Sequence, residues 1–361
     1  MQSDFHAIKS FGVSMNSEKP PAAGGCDPFA LVDAVQARTQ ALWPEAAAAA
    51  GLQEAGAVFR RMQLNSGVLH RRCVLEVRTA DGQSYALRAE FGGTDPLRHT
   101  RSLDRHQAAA DSLMPVSGVS APALLWRDTQ NPFVLMEFVR GDTAHRELAV
   151  AEYGFGDRGS ILRRIGSAVA ALHEVSAAGD RQFWPKPFLT RVANQAQAVR
   201  DGQLPVPKPN KFLGLCAYLH RAGRRARGQP FRAAVEHGDL HLRNILMSET
   251  TVSFIDFSNH DGIFPQRDLA NIWLANCPDH LAAEGCTPGI GLVAQADWEA
   301  FQDGYGAELV NDPVFRFFYA HRLFRCWVGL CQKPPEQQMK SAQVAARAVQ
   351  VLEALLADED D

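Results

Sequence analysis

One short segment in the second half of the chain, Val235–Met247, constrains the fold more than any other. It places Asp239 and, five residues later, Asn244 between apolar stretches, and Asp256 follows within Ser253–Phe257 across a short turn. Each polar residue stands at the edge of a segment with the apolar, β-branched texture of a strand. The pattern predicts that a strand end and a neighbouring hairpin bring three oxygen-bearing side chains to one point.

Three such groups are what phosphoryl transfer from a nucleotide requires. One carboxylate orients the acceptor hydroxyl and takes its proton, while an amide and a second carboxylate hold Mg²⁺ on the phosphates. Asp239, Asn244 and Asp256 fit these roles in that order. Two alternatives are ordinary turn and cap residues, or a metal-ligand cluster of a hydrolase that includes His237 and His241. We interpret His237 as a packed residue that braces the loop, and His241 as one that shapes it through hydrogen bonds.

Composition limits the class of protein. The chain has 361 residues, 46% of them hydrophobic, enough for one large two-part domain or two ordinary ones. A net charge of -3 with mixed signs argues against a nucleic-acid partner and gives no attraction to a membrane. Seven scattered cysteines without a C-x-x-C pair predict reduced thiols. With no secretory signal or bilayer-length apolar run visible, a cytoplasmic protein is expected.

The first part of the chain has the pattern of a small antiparallel sheet with one packed helix. Residues 1–26 predict a flexible tail, and Asp27-Pro28 then begins a leading helix that the alanine run Ala46–Ala50 finishes. The pair Asp81-Gly82 is a strong hairpin signal. The predicted elements are strands over 68–78 and 84–91, a helix over 102–114, and strands over 123–127 and 133–139. Residues 27–140 are therefore predicted to form an N-terminal lobe.

Residues 141–361 are predicted to form a mainly helical second lobe. Amphipathic patterns indicate helices near 161–172, 212–227, 295–309, 314–330 and 341–356. The Asp239 segment is the only stretch of this lobe whose sequence pattern predicts strands. The predicted fold class is α+β, with two lobes: an antiparallel-sheet N-lobe and a mainly helical C-lobe.

Together these features resemble the aminoglycoside phosphotransferase and choline kinase family, small-molecule kinases with a protein-kinase-like fold. The resemblance rests on His237–Asn244, Ile255–Phe257 and Asp268–Ala270, which occur in the family's order. It covers roughly residues 55 to 330. It implies a bilobal protein-kinase-like fold, an N-lobe that binds nucleotide, ATP and Mg²⁺ as cofactors, and a small-molecule hydroxyl as acceptor.

The resemblance also assigns roles within the second lobe. It implies that Asp239 is the catalytic base, and that Asn244 and Asp256 bind Mg²⁺. The family's counterpart of Asp268 helps to hold the catalytic loop in place, whereas a helix N-cap is the local alternative. The path from Asp256 to Asp268 is too short for the activation segment of a protein kinase, which favours a small molecule over a polypeptide as acceptor.

In the N-lobe the resemblance places Arg88 where the family has a phosphate-binding Lys. Arginine can bind phosphate, although the exchange is not conservative, and an Arg on an exposed strand is the alternative. The Glu that normally pairs with the Lys would fall near His106 or Gln107. Neither residue is acidic, and Asp104 and Asp111 are the nearby carboxylates.

The remaining nucleotide contacts are expected from backbone groups. Ser66 and Gly67, in a turn with a single glycine, can offer N–H groups to phosphate. The strand over 133–139 is expected to be the hinge, with adenine meeting the backbone near Glu137 and Val139. An ordinary buried strand explains its apolar pattern equally well.

The acceptor site is expected to face Asp239 from the helical lobe. No dense acidic cluster of the kind that suits an aminoglycoside stands out, and Arg322 and Arg325 favour instead an acceptor with a carboxylate or phosphate. The candidate residues are Ser258, Asn259, His260, Asp261, Trp273, Tyr305, His321, Arg322 and Arg325. A small-molecule kinase is the leading hypothesis. A nucleotide-binding pseudokinase or regulatory module is the alternative, a metal-dependent hydrolase is third, and the oligomeric state is left open.

Overall fold

The computed structural model describes residues 28–66, 71–92, 95–274, 287–331 and 338–360. The predicted tail of residues 1–26 lies outside them. The described part opens with two helices, α1 (Pro28–Gln40) and α2 (Trp43–Ala49). The alanine run therefore lies mostly in α2 and does not finish α1, because Pro44 favours the first turn of a new helix.

A five-stranded antiparallel sheet, ordered β1-β2-β3-β6-β5, forms the N-terminal lobe. Its strands are β1 (Val58–Ser66), β2 (Arg71–Arg78), β3 (Ser84–Phe91), β5 (Leu124–Arg127) and β6 (Phe133–Glu137). The hairpin at Asp81-Gly82 is confirmed, with Gly82 at φ 83° and Arg78 opposite Ser84. The sequence did not single out β1 because this edge strand is largely polar and exposed.

Helix α3 (Pro96–Leu113) follows β3 and begins at Pro96 rather than at residue 102. The Asp95 carboxylate caps it by accepting the Leu97 N–H at 3.0 Å, and Pro96 occupies the first turn. Further along, the Ser102 hydroxyl donates to the Phe257 carbonyl. The helix thereby contacts the segment that carries Asp256.

A second, four-stranded sheet lies where the two lobes meet, in the order β4-β11-β10-β7. Its short strands are β4 (Val119–Ser120), β7 (Asp142–Thr143), β10 (Ile245–Met247) and β11 (Val252–Phe254). The β10–β11 hairpin separates Asn244 from Asp256 along the chain and brings their backbones together, since the Ile255 N–H donates to the Asn244 carbonyl at 3.1 Å.

The remainder is mainly helical, as predicted. Its helices are α4 (Ala144–Glu152), α5 (Arg158–Val175), α6 (Lys186–Arg200), α7 (Pro209–Ala226), α8 (Pro265–Leu274), α9 (Gln295–Tyr305), α10 (Pro313–Leu330) and α11 (Gln338–Asp360). A ribbon of β8 (Ala177–Gln182) and β9 (Pro230–Ala234) also occurs here, so the Asp239 segment is not the only β structure in this half. The sequence pattern missed β8 because its residues are all exposed. No helix within the described residues is long and apolar enough to cross a bilayer.

Aromatic packing connects the Asp256 segment to the helical core. The Phe264 ring lies 5.0 Å from Phe318 of α10 and 5.1 Å from Phe231 of β9, measured between centroids. Such contacts contribute through burial and ring geometry. These contacts hold the chain between Asp256 and α8 against β9 and α10.

Candidate active site

Asp268 of α8 holds the loop that carries Asp239. Its two oxygens accept the His237 N–H at 2.6 Å and the Gly238 N–H at 2.9 Å, and its side chain is only 1% exposed. Burial opposes ionisation, but His173, at 3.4 Å, and these hydrogen bonds lower the pKa of the Asp268 carboxyl. The implied role of Asp268 in holding the loop is confirmed. The N-cap alternative is wrong, because Asp268 lies inside the first turn of α8.

Gly238 lets this loop approach the segment after Asp256. Its φ is 83°, in the region that favours glycine, and a Cβ there would collide with the Ser258 side chain. The Ser258 N–H also donates to the His237 carbonyl at 2.9 Å. The two segments therefore lie in direct backbone contact at a residue without a side chain.

His237 is a buried brace, as predicted. Its ring stacks on Phe257 with centroids 4.2 Å apart, and its Nε2 lies 2.9 Å from the Ile255 carbonyl. Burial lowers the pKa of His237 to about 4, so the ring is neutral near pH 7 and Nε2–H is the donor. Among the described residues, no three His, Cys, Asp or Glu side chains are grouped to hold a metal ion.

Asp239 projects from the loop with 58% of its side chain exposed. Partial burial, and the charge of Asp256, raise the pKa of its carboxyl, while His241, Arg322 and a hydrogen bond from Asn271 oppose the shift. The net effect is a raised pKa on a carboxyl that remains partly exposed to solvent.

The hydrogen bond that His241 contributes to the loop comes from its backbone, whose carbonyl accepts the Asn244 N–H at 2.8 Å. Its Nδ1 is buried and has no hydrogen-bond partner among the described residues. Its Nε2 lies 3.8 Å from Asp239 Oδ2, beyond hydrogen-bond distance. The ring is placed beside the catalytic candidate instead, and burial lowers its pKa.

Asn244 and Asp256, the expected metal ligands, flank the β10–β11 hairpin. Asn244 Nδ2 donates to the Asp239 carbonyl at 3.0 Å. This contact does not use the amide oxygen Oδ1, the atom expected to bind a metal ion. Asp256 has φ 61°, an uncommon conformation for a residue with a side chain and one that is frequent at functional sites.

Two arginines from the sheet contact Asp256. Arg72 Nη2 donates to both carboxylate oxygens, at 2.8 and 2.9 Å, and Arg88 Nη1 donates to Oδ1. Burial alone would raise the pKa of Asp256, but the guanidinium groups of Arg88 and Arg72 outweigh it and lower the pKa to about 2. Arg88 therefore faces the inside of the molecule rather than solvent. Arg72 is a site residue that the sequence reasoning missed.

The carboxylate partner of Arg88 comes from its own strand. Glu90, two residues along β3, accepts from Arg88 Nε at 3.1 Å and also from Nη2. The slot expected on α3 is not used: His106 Nε2 contacts the Pro122 carbonyl, and Asp104 pairs with the exposed Arg127. Asp111 likewise accepts from its own helix, from the neighbouring amide of Gln107 at 2.8 Å.

A cleft of about 220 Å³ between the lobes contains the nucleotide-binding candidates. Arg88, Glu137, Val139 and Asp256 line it together with Arg72 and apolar side chains of both lobes. The Glu137 N–H donates to the Ala123 carbonyl at 3.0 Å, and its carboxylate accepts the Ala123 N–H at 3.0 Å, so these two groups of Glu137 are engaged within the N-terminal lobe.

The structure does not bear on the phosphate-binding turn. Ser66 ends β1 opposite Arg71, and its side chain lies outside the described residues. Gly67 lies outside them altogether.

A second cavity, of about 110 Å³, lies on the helical side of Asp239. Of the acceptor candidates, it is lined by His321, Arg322 and Arg325, together with Arg267 and Asn271 from α8. Two other candidates are structural: Trp273 packs 4.3 Å from Trp298, and the Tyr305 hydroxyl lies 3.0 Å from His173 Nδ1. Candidates Ser258–Asp261 lie in the loop before α8, and Ser258 Oγ accepts the His260 N–H at 3.3 Å.

Comparisons with known proteins identify similar folds. The solved structures with a similar fold include a choline/ethanolamine kinase family protein from Mesorhizobium loti, with 15% identity, a TM-score of 0.55 and coverage of 89% of this chain and 95% of that chain. A macrolide 2′-phosphotransferase from Brachybacterium faecium has 17% identity, a TM-score of 0.53 and coverage of 88% and 98%. An amicoumacin kinase has 14% identity, a TM-score of 0.55 and coverage of 88% and 96%.

These likenesses confirm the bilobal, protein-kinase-like α+β fold. No curated protein sequence matches the chain. The sequence profile of the phosphotransferase enzyme family matches residues 60–306, which include both lobes and every site residue named above except the three on α10. The chain therefore belongs to the phosphotransferase enzyme family.

Proposed function

We propose that the protein transfers the γ-phosphoryl group of ATP to a hydroxyl of a small molecule, with Asp239 as the base. The observation that carries the proposal is the placement of Asp239 and Asp256 next to two different cavities. Asp256 lines the inter-lobe cleft, and Asp239 lines the cavity in the helical lobe. Asn244 hydrogen-bonds the backbone of Asp239 and, through its carbonyl, that of Ile255 next to Asp256. A nucleotide and an acceptor can thus approach one reaction centre from opposite sides.

The cleft has the character of a nucleotide site. Apolar side chains from both lobes, including Val74, Ala86 and Leu246, form its walls, and the Glu137–Val139 backbone borders it. Flat apolar walls and a few backbone groups suit a purine base. The similarly folded amicoumacin kinase was solved with AMP-PNP, Ca²⁺ and its acceptor. On this proposal Ser66 and Gly67 remain the predicted phosphate-binding turn.

Arg72 and Arg88 are proposed to bind the phosphates. Both guanidinium groups face the cleft beside Asp256, and each presents several donors in one plane, which matches phosphate oxygens. Glu90 keeps Arg88 in this orientation through its hydrogen bonds. The resulting arrangement uses an Arg–Glu pair within one strand for the task that a Lys–Glu pair between strand and helix performs in the family.

Asn244 and Asp256 fit the Mg²⁺ that this chemistry needs. The Asp256 carboxylate is ionised at any pH at which the enzyme would work, and the Asn244 amide oxygen is not committed to the Asp239 contact that its Nδ2 makes. These are the hard oxygen donors that Mg²⁺ prefers. Bound there, Mg²⁺ would neutralise charge on the phosphate oxygens during transfer.

Asp239 would orient the acceptor and receive its proton. In the reaction the acceptor oxygen bonds to the γ-phosphorus, the bond from that phosphorus to the bridging oxygen breaks, and ADP leaves with the electron pair. The acceptor proton passes to an Asp239 oxygen. Burial raises the pKa of the Asp239 carboxyl, which strengthens it as a proton acceptor, while Arg322 and Asn271 limit that rise.

An ADP-release assay with a metabolite library, Mg²⁺ and ATP tests the proposal. Turnover of a hydroxyl compound that disappears in Asp239→Asn and Asp256→Asn supports it. ATP binding with no turnover of any compound would support the nucleotide-binding module instead. Failure to bind ATP, measured by calorimetry, would contradict both.

A further inference from the structure

The cavity on the helical side of Asp239 has a wall rich in arginine. The loop contributes Asp239, α8 contributes Arg267, and α10 contributes Arg322 and Arg325. If the proposed function holds, the acceptor hydroxyl reaches Asp239 through this cavity, because the nucleotide cleft lies on the Asp256 side. The charge of the cavity wall then selects the acceptor.

The other two carboxylates of this wall are buried and make hydrogen bonds within the protein. Glu236 and Asp268 are each 1% exposed. Asp268 accepts the two loop N–H groups described above. Glu236 accepts the Phe264 N–H at 2.9 Å and pairs with Arg267 at 3.1 Å. Both buried acids are therefore engaged within the protein, Glu236 with Arg267 and Asp268 with the loop, and Arg322 and Arg325 of α10 line the cavity beside Asp239.

Arg322 and Arg325 lie one turn apart on the same face of α10. Arg322 Nε donates to Asn271 Oδ1 at 2.6 Å, which joins the guanidinium to the amide that also hydrogen-bonds Asp239. Burial, followed by the guanidinium groups of Arg267 and Arg322, lowers the pKa of Arg325, so the charges that act on it most are positive.

Two histidines from different segments experience the same positive charge. Burial, followed by the charges of Arg325 and Arg267, lowers the pKa of His321 to about 3. His260, in the loop before α8, also has its pKa lowered, by burial and then by Arg267 and Arg325. A cationic group placed beside Arg322 and Arg325 would be repelled by their like charge, and this repulsion is stronger in a partly buried site than in water.

We propose that the acceptor is a small hydroxy compound that carries a carboxylate or a phosphate, with Arg322 and Arg325 binding the anion while the hydroxyl faces Asp239. This inference rests on the proposed function. A planar guanidinium binds either anion through paired hydrogen bonds, so the two share one chemistry. The volume of about 110 Å³ is below the roughly 300–1,000 Å³ of pockets for drug-sized ligands. It suits a compound of few heavy atoms.

A matched series of acceptors tests this inference in the ADP-release assay with the full chain, Mg²⁺ and ATP. Glycerol is neutral, D-glycerate adds a carboxylate, glycerol 3-phosphate adds a phosphate, and choline is a cation. We expect kcat/KM for one or both anions to exceed that for glycerol by about tenfold or more, with choline lowest. The comparison of glycerate with glycerol 3-phosphate identifies which anion the site prefers.

Arginine variants test which side chain produces the preference for an anionic acceptor. Arg325→Gln is expected to lower the preference for the anion over glycerol by roughly 10- to 100-fold, the loss typical of a charge-assisted hydrogen bond. Arg224→Gln, on the exposed face of α7, should leave that preference unchanged. Because the readout is a ratio of two acceptors, a general loss of active protein does not imitate it.

The outcomes separate the two proposals. Preferential turnover of choline, or an anion preference that Arg325→Gln does not reduce, overturns the anionic acceptor and leaves the kinase assignment intact. If none of the four compounds changes the rate of ATP hydrolysis, the anionic acceptor is also overturned. Absence of any ATP turnover, in the protein and in Asp239→Asn alike, overturns the kinase assignment itself.

Discussion

Arg72 of β2 and Asp256, which follows β11, are joined by two hydrogen bonds, at 2.8 and 2.9 Å, from one guanidinium nitrogen to both carboxylate oxygens. The contact connects residues 184 positions apart in the chain. It makes Arg72 the neighbour of the proposed metal ligand on the sheet side of the cleft, next to Arg88.

Replacement of Arg72 should weaken ATP binding. In Arg72→Ala the loss of a charged donor to the phosphates is expected to raise the KM for ATP roughly 10- to 100-fold, measured by initial rates at saturating acceptor. Arg72→Lys should recover part of it, because the charge remains but the paired geometry is lost. Arg127→Ala, an exposed arginine of the same sheet, is the control. An unchanged KM in Arg72→Ala would contradict the phosphate-binding role.

Replacement of Asp239 should remove turnover but retain nucleotide binding. We expect Asp239→Asn to lower kcat by about 10²- to 10⁴-fold, the usual contribution of a general base. Calorimetry should give an unchanged Kd for ATP, since Asp239 lies outside the nucleotide cleft. Asp303→Asn, an exposed carboxylate of α9, is the control. Full activity in Asp239→Asn would show that another group takes the proton.

Replacement of Asp268 should misplace the catalytic loop. An amide cannot accept from both the His237 and Gly238 N–H groups with the strength of a carboxylate, so Asp268→Asn is expected to cost about 1.5–3 kcal/mol of unfolding free energy and to lower kcat. Asp297→Asn is a matched control, because Asp297 is also buried but pairs with Arg158, away from the loop. It should lose stability at little cost to kcat, and equal losses of kcat in both variants would contradict the positioning role.

The contribution of His321 to stability should become less favourable in mild acid. Its pKa is lowered to about 3 by burial and neighbouring arginines, whereas an unfolded His has a pKa of about 6.5. As the pH falls from 6.5 toward 3, His321 therefore takes up a proton in the unfolded chain but stays neutral in the folded protein. This group costs about 1.4 kcal/mol of stability per pH unit in that window.

His321→Gln should accordingly lose less stability than the parent protein between pH 6.5 and pH 5, by about 2 kcal/mol in urea unfolding. Glu236, whose pKa burial raises to about 7, acts in the opposite direction over pH 4.5 to 7, but it is present in both proteins and cancels from the comparison. Equal pH dependence in the two proteins would show that His321 is accessible to protons in the fold.

Much of the fold follows from the sequence because local signals are strong. The pair Asp81-Gly82 specifies the first hairpin, and the helical periodicity of the second half specifies most of its helices. The misses have physical causes. Strands β1 and β8 are polar and exposed, so no apolar pattern marks them, and α3 begins early because Asp95-Pro96 is a better start signal than any residue near 102.

The site was predictable where spacing along the chain carries it, as for the Asp239 motif. It was less predictable where residues meet only in three dimensions. The hairpin register places Arg72 opposite Glu90, and Arg88 shares a strand face with Glu90, so the Arg–Glu group could have been found by extending the register from Asp81-Gly82. The contact of Arg72 with Asp256 could not, because it depends on how the two lobes pack.

The position of these arginines also bears on how the molecule opens. Arg72 and Arg88 belong to the sheet lobe, whereas Asp256 belongs to the other lobe, so separating the lobes requires breaking charged hydrogen bonds at the reaction centre. Ions in solution screen partly exposed charges, and screening grows with concentration. Opening, and with it the release of ADP, is therefore expected to speed up as salt is added, which would make the turnover rate of the enzyme depend on ionic strength even where the chemical step does not.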